Sequence, residues 1–189
     1  MKRLIDFIVA ALCLVLFSPL IFVCWLAIKV GGGPAIYKQE RIGLGGRPFY
    51  IYKFRSMVVD AEKEGAELLQ HPNDPRLTRI GRFLRAHHLD ELPQLWNVFI
   101  GDMAFVGPRP ERKYYIDQIM ARDKRYEQLY VLRPGVTSYA TLKNGYTDTI
   151  DKMIRRLEMD LYYLEHQSLW MDAKILWKTF ADIVSGKIF

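Results

Sequence analysis

Asp90 and Glu91 stand side by side within RIGRFLRAHHLDELPQLWNVFIGDMAFVGPRPE, residues 79–111. Leu92-Pro93 and an apolar helical run follow them, and Arg79, Arg82, Arg85 and Arg109 bracket them. Pro93 suits the first turn of a helix, where its missing N–H costs nothing. The two carboxylates therefore fall at or just before a helix N-terminus, whose dipole keeps a carboxylate ionised and also attracts phosphate. An ionised Asp90 is a competent nucleophile for an aspartyl-phosphate type of intermediate. Glu91 suits a general acid or base, provided its pKa differs from that of its neighbour. Consecutive helical residues point about 100° apart. The pair is thus badly placed to flank one glycosidic bond, which argues against a two-carboxylate glycosidase. Simple capping is the competing reading, because Asp before a helix commonly does no more than satisfy orphan amides.

The wider stretch resembles the bacterial sugar transferase family, small monotopic phosphoglycosyl transferases that move a phosphosugar from a nucleotide sugar to a polyprenol phosphate. LDELPQLWNVFIGDMAFVGPRPE carries the resemblance, with QERIGLGGRPFYIYKFRSM upstream and LRPGVTS and SLWMDAKILWKTF downstream, in the family's order and over most of the chain. The resemblance implies that Asp90 is the nucleophile, attacking the β-phosphorus of a UDP-sugar and releasing UMP. Glu91 is implied as its dyad partner, assisting proton handling or positioning Asp90. It further implies that Arg85 and Arg109 contact phosphate or nucleotide, and that Lys53 and Arg55 of KFRSM face the active site. Mg²⁺ is the expected cofactor, with Asp90 as a metal ligand. The implied acceptor is a polyprenol (undecaprenyl) phosphate, and the implied setting is the first membrane step of bacterial glycoconjugate or polysaccharide assembly. Catalysis is expected on the cytoplasmic face of the inner membrane, in contact with its lipid, and homo-oligomerisation is left open. Ala104 stands where the family often has Ser. Residues 138–145 (SYATLKNG) depart from the commoner version with glycine and glutamine, which leaves sugar and acceptor specificity open. Two rival readings stand beside this one: a membrane-anchored basic binding protein without turnover, and a ternary-complex transferase in which Asp90 is only a metal ligand.

With 189 residues, half of them hydrophobic, the chain suffices for one ordinary domain plus a membrane element. Its formal net charge of +6 points to an anionic partner, such as acidic lipid or a phosphorylated substrate. The basic residues are interleaved with aromatics rather than gathered in a run, and no nucleic-acid-binding motif accompanies them, so nucleic acid is not expected as a partner. Cys13 and Cys24 lie in the apolar N-terminal segment without metal-ligand spacing and read as small hydrophobes.

Residues 4–30 are almost continuously apolar after Met1-Lys2-Arg3, with no convincing signal-peptide cleavage site. One straight helix of that length runs roughly 40 Å and would cross a bilayer. Against a crossing stand Ser18-Pro19 in the middle and basic residues on both sides: Lys2 and Arg3 before, Lys29, Lys38, Arg41 and Arg47 after. A helix that breaks at Ser18-Pro19, dips into one leaflet and returns satisfies both features, and the resemblance implies the same.

The expected fold is α+β and mostly helical. Residues 1–30 form the re-entrant membrane helix, and residues 31–189 form a cytoplasmic catalytic domain with a small β-hairpin or sheet and amphipathic interfacial helices. Residues 35–41 and 48–54, separated by Gly43-Leu44-Gly45-Gly46, read as the hairpin. Residues 60–69 read as a charged helix, closed by a breaker at 71–75. Ile80, Phe83 and Leu84 form one apolar face, while His87 and His88 lack partners at zinc-ligand spacing. Residues 111–132 read as one amphipathic helix, either an ordinary surface helix or one that settles Tyr114, Tyr115, Ile119, Tyr126 and Tyr130 at lipid headgroups. An extended piece at 136–143 and a turn at Asn144-Gly145 follow. Two amphipathic helices complete the chain, over 149–164 and after Ser168, the second carrying Trp170 and Trp177.

Overall fold

In the computed structural model, which describes residues 1–59, 61, 74–144, 147 and 149–185, the apolar N-terminal segment is one helix, α1 (Lys2–Val30). Pro19 lies inside it without ending it, so Ser18-Pro19 does not divide the segment into two separate helices. The local reason is a substituted hydrogen bond. Pro19 cannot donate to the carbonyl of Val15 four residues back, and the Ser18 hydroxyl donates to that oxygen instead, at 2.8 Å.

Both ends of α1 are held on the same body. At its start Arg3 donates to Val98 O (2.6 Å) and Phe99 O (2.7 Å), capping the last turn of α3 (Gln94–Ile100), and Phe7 stacks on Phe99. Near its end Cys24 and Ile28 share a buried cluster with Ala35, Phe54 and Leu84. Between these anchorages Leu12, Val15 and Leu16 project outward, 65–76% exposed. By length and composition α1 is able to cross a membrane.

The hairpin read from the sequence is β1 (Ile36–Ile42) paired antiparallel with β2 (Pro48–Phe54). Next come α2 (Arg79–Ala86), a 3₁₀ turn at Leu89–Glu91, α3, and β3 (Ala104–Val106). After α4 (Lys113–Arg122), β4 (Gly135–Thr137) pairs parallel with β3, and α5 (Thr141–Asn144), α6 (Ile150–His166) and α7 (Leu169–Val184) follow. The fold is mostly helical, with a small sheet content and one long apolar N-terminal helix.

Two segments differ from expectation. Residues 111–132 are not one helix: α4 stops at Asp123, whose carboxylate accepts from Arg125 N, and a 3₁₀ run, Lys124–Val131, continues. Tyr115, Ile119 and Tyr126 are buried there against Leu157 and Leu161 of α6, so they build core rather than meet headgroups; only Tyr114 of the five stands mainly exposed. The extended piece at 136–143 ends at Thr137, because the Ser138 hydroxyl accepts from Thr141 N at 2.9 Å and starts α5. Residues 60–73, apart from Ala61, and Gly145 lie outside the described residues, and with them the charged helix and most of the breaker.

One fully buried side chain joins the hairpin to the central stretch. Asn97 Nδ2 donates to Tyr50 O at 2.7 Å, and Asn97 Oδ1 accepts from Tyr52 N at 3.0 Å. The free edge of β2 is thereby registered against α3. Asn97→Ala leaves a buried donor and acceptor of β2 unmatched and should cost about 2–3 kcal/mol, read as a lowered midpoint in chemical denaturation of the detergent-solubilised protein.

Candidate active site

Asp90 and Glu91 are delivered by a tight reversal after α2. His88 adopts the left-handed conformation (φ 54°), uncommon for a side chain larger than glycine's, and turns the chain into the 3₁₀ turn Leu89–Glu91. Leu92 and Pro93 continue in helical conformation into α3. The carboxylates thus lie in the helical lead-in, a little earlier than a plain N-cap. Asp90 is buried, and Glu91 is partly so.

Each carboxylate faces its own cation. Lys53 Nζ meets Glu91 Oε1 at 2.5 Å, and Arg85 Nε lies 4.0 Å from Asp90 Oδ2. Lys53 comes from β2, whose placement against α3 is the work of Asn97. Arg85 is held by a 2.9 Å bond from its Nε to Ser56 Oγ. That bond depends on Gly81, since a Cβ there would sit 1.8 Å from Ser56 O. Burial pushes the Asp90 carboxyl up from its usual range, opposed by Lys53, Arg85 and His88, while the charge of Glu91 pushes it further up. Burial also acts to raise Glu91, but Lys53 and Arg109 outweigh it and hold that carboxyl at about 2. The neighbours therefore differ in acidity, and the one with a low pKa is Glu91. Such a carboxylate is a poor general acid at neutral pH and a good electrostatic anchor.

Beside Glu91 opens a polar cleft with Arg41, Lys53, Gln94, Arg109, Thr137 and Ser138 among its walls. Two loops make the far wall by close backbone approach. Gly107 N donates to Thr137 O, continuing the parallel ladder of β3 and β4, and Gly135 N donates back to Pro108 O. A Cβ on Gly107 would lie 2.2 Å from Arg133 O, and one on Gly135 2.2 Å from Gly107 N, so both positions require glycine. This contact brings Gly107-Pro108-Arg109-Pro110 against the LRPGVTS segment.

The arginines of the cleft share one buried carboxylate. Glu111 lies 3.8 Å from Arg41 and 3.9 Å from Arg109, and Arg156 of α6 hydrogen-bonds to it directly. Burial works to raise Glu111, yet Arg156, Arg109 and Arg41 together hold it below the usual carboxylate range. Arg41 is pushed down to about 10 by burial, against the pull of Glu111, and stays cationic at neutral pH. The cleft is narrow, about 20 Å³ in volume, and gathers three cations, Arg41, Lys53 and Arg109, on its walls.

Of the residues singled out in the sequence, Asp90, Glu91, Arg85, Lys53 and Arg109 converge on this region. Arg55 is different. Its guanidinium donates to Gly32 O at the exit of α1, and among the described residues it makes no hydrogen bond or ion pair with Asp90 or Glu91. Ser18 and Pro19 lie within α1, away from the cleft lining. Sequence reasoning missed Arg41, Gln94, Glu111 and Thr137 as parts of the site. Arg41 was legible in principle: hairpin register sets Tyr37 opposite Lys53, Gln39 opposite Ile51 and Arg41 opposite Phe49, so Arg41 shares a face with Lys53. Gln94 follows Asp90 by four residues, is 2% exposed, and lines the cleft.

Comparison with known proteins supplies the family. The family model described as bacterial sugar transferase matches residues 1–186. The chain belongs to the bacterial sugar transferase family. It is 43% identical over 188 residues to a UDP-glucose:undecaprenyl-phosphate glucose-1-phosphate transferase of Caulobacter vibrioides, covering 97% of this chain and 70% of that protein. A UDP-N-acetylgalactosamine-undecaprenyl-phosphate N-acetylgalactosaminephosphotransferase of Aeromonas hydrophila is 40% identical over 186 residues, 98% of this chain. A UDP-glucose:undecaprenyl-phosphate glucose-1-phosphate transferase of Escherichia coli is 41% identical over 183 residues, 95% of this chain. The chain spans 44% and 39% of the lengths of these last two relatives. In this sugar transferase chain the matched region holds the whole cleft and the carboxylate pair.

The Glu91–Lys53 pair has a defined pH signature. A carboxyl depressed in the folded state adds stability above its ordinary value of 4.5, and that contribution disappears as pH falls toward about 2. Lys53→Met should therefore destabilise the protein most above pH 4.5 and progressively less below it. In the same variant, carboxyl ¹³C NMR titration should show the Glu91 pKa rising from about 2.

Proposed function

We propose that this chain is a phosphoglycosyl transferase that moves a phosphosugar from a UDP-sugar to a polyprenol phosphate, undecaprenyl phosphate in particular, through a covalent aspartyl intermediate. The observation that carries the reading is the buried Asp90 carboxylate beside a three-cation cleft, on a body to which an apolar membrane-type helix is fastened at both ends. The names of the relatives supply the donor and acceptor classes.

In the first step an Asp90 carboxylate oxygen attacks the β-phosphorus. The bond from that phosphorus to the oxygen bridging to the α-phosphate breaks, and UMP departs with the electron pair. In the second step a phosphate oxygen of the polyprenol phosphate attacks the same phosphorus. Asp90 leaves as carboxylate, and a polyprenol diphosphate sugar is formed. Arg41, Lys53 and Arg109 neutralise the diphosphate during the first step, and Arg85 offsets charge beside Asp90. Glu91, low in pKa and paired with Lys53, positions that lysine and the turn carrying Asp90. Among the described residues no group of three or more acidic, His or Cys side chains is built to cage a metal. The donor set instead fits Mg²⁺, which takes one or two carboxylates and completes its shell with substrate phosphate and water. Asp90 would hold the ion, which supplies charge neutralisation at the diphosphate oxygens.

Residues 1–30 form the membrane element of this reading and residues 31–189 the catalytic part on the cytoplasmic face of a bacterial inner membrane. A helix docked at both ends on one body, basic at both ends and containing Pro19, suits a dip into one leaflet. Trp170, Trp177, Phe180 and Val184 form an exposed apolar stripe on α7, suited to lie in the interface.

Purified protein, Mg²⁺ and a panel of UDP-sugars without acceptor should give a phosphosugar adduct at Asp90 in intact-mass spectrometry. Asp90→Asn should abolish it while the melting temperature stays equal or rises, since a carboxyl raised by burial costs stability when ionised. Adduct yield should fall with acidification along a limb above the usual aspartate range, set by Asp90 and not by Glu91. Turnover with acceptor but no adduct would make Asp90 a metal ligand in a direct transfer, and neither would leave a binding protein.

A further inference from the structure

Behind the cleft, on α6, lies a carboxyl that the proposed reaction does not use. Asp160 stands one turn after Arg156, and both are buried with Glu111, each at most 5% exposed. Arg156 donates to Glu111, whereas Asp160 Oδ1 has no hydrogen-bond partner among the described residues. Glu111 is the carboxylate shared with Arg41 and Arg109, which stand 3.8 and 3.9 Å from it, beyond hydrogen-bond length. We propose that Asp160, acting through Arg156 and Glu111, is a positioning residue for these two cleft arginines, and that the donor diphosphate binds more tightly when Asp160 carries a proton than when it does not. This role rests on the reading of the cleft as the donor site.

One guanidinium cannot fully serve two buried carboxylates. Arg156 feels both Glu111 and Asp160, and its hydrogen bond goes to Glu111. That arrangement is the one expected of a neutral Asp160, since an anion without a donor is far costlier to bury than the acid. Glu111 is then neutralised from behind by Arg156, and Arg41 and Arg109 keep their charge for the cleft. An ionised Asp160 draws on Arg156 and leaves more of the Glu111 charge to Arg41 and Arg109. It also adds a negative charge of its own. Both effects lower the positive potential that a diphosphate meets.

The proton is exchanged near neutrality. Burial pushes the Asp160 carboxyl up to about 7, opposed by Arg156 and helped by Glu111. The other titratable groups around this part of α6 are phenols. Tyr126 comes from the 3₁₀ run, Tyr115 from α4, and Tyr163 from α6 itself, with its hydroxyl donating to Asp172 of α7. Burial raises all three phenols, so none ionises in the same range. The donor's diphosphate is esterified at both ends and has no proton to lose near neutral pH.

Calorimetric binding of a UDP-sugar with Mg²⁺ to the full-length, detergent-solubilised Asp90→Asn protein removes turnover and the titration of Asp90. Comparison with Asp90→Asn/Asp160→Asn then isolates Asp160, since His88 and the cleft arginines are the same in both. With Asp160 present, Kd should rise about three- to tenfold from one pH unit below about 7 to one above. With Asp160→Asn it should stay near its low-pH value. The same pH dependence in both proteins would overturn the proposal. Melting temperature gives a readout free of ligand. A carboxyl raised by folding costs stability as pH climbs from its usual 3.8 through about 7. Asp160→Asn should therefore melt higher than its parent above about 7 and lose that advantage toward 3.8. A packing role alone would shift melting equally at every pH, and that result would also refute the assignment. Asp160→Ala removes the same charge and replaces Asp160→Asn if the latter does not fold. No UDP-sugar binding by either protein, with the melting difference intact, would remove the donor reading and this role with it.

Discussion

Two adjacent carboxylates cannot both be withdrawn from water as anions unless each is given its own positive charge. Much of this structure answers that constraint. β2 brings Lys53 to Glu91, α2 brings Arg85 toward Asp90, and the left-handed His88 folds the intervening chain so that both cations reach their targets. The compensation is unequal. Glu91 has the short contact and stays strongly acidic, whereas Asp90 retains a raised pKa. A carboxylate less satisfied by its own protein is the one better disposed to react with an electrophile.

A second charge problem lies behind the cleft. Arg41, Arg109 and Arg156 would repel one another without Glu111, which is buried among them. That carboxylate lets two guanidiniums face the cleft while a third ties the group to α6. Buried arrangements of this kind add little net stability, but they hold the cations of the cleft in place in advance of any bound anion. Preorganised charge of this sort is what phosphoryl transfer needs from a protein.

Helix α1 belongs to the same mechanical unit. Arg3 caps α3 at one end, and Cys24 and Ile28 enter the core beside α2 at the other. Because α2 and α3 flank the 3₁₀ turn with Asp90, and Cys24 and Ile28 pack in one cluster with Leu84, Leu89 and Leu92, α1 and Asp90 are separated by only one layer of packing. The Ser18 hydroxyl makes Pro19 tolerable within α1 by taking up the Val15 carbonyl.

Local chemistry determined a good deal of this protein. The apolar run of α1, the hairpin around Gly43-Leu44-Gly45-Gly46, the caps Thr149 and Ser168 and the carboxylate pair before an apolar helix all depend on neighbours in sequence, and could be read there. Other features answered to partners far along the chain. The split between α4 and the 3₁₀ run follows from burying Tyr126 against α6, and β3 with β4 exists only because Gly107 and Gly135 meet. Arg55 has the same charge and neighbourhood in sequence as Lys53, yet the Gly32 carbonyl captures it. Gln94 and Glu111 carried no local mark of function: Gln94 belongs to the site through the cleft it lines, and Glu111 through the cleft arginines it holds from behind. Sequence determined which groups could do the chemistry; tertiary structure decided which carboxylate stays strongly acidic and which is pushed up, because desolvation and distant cations set acidity and neither is a property of adjacent residues.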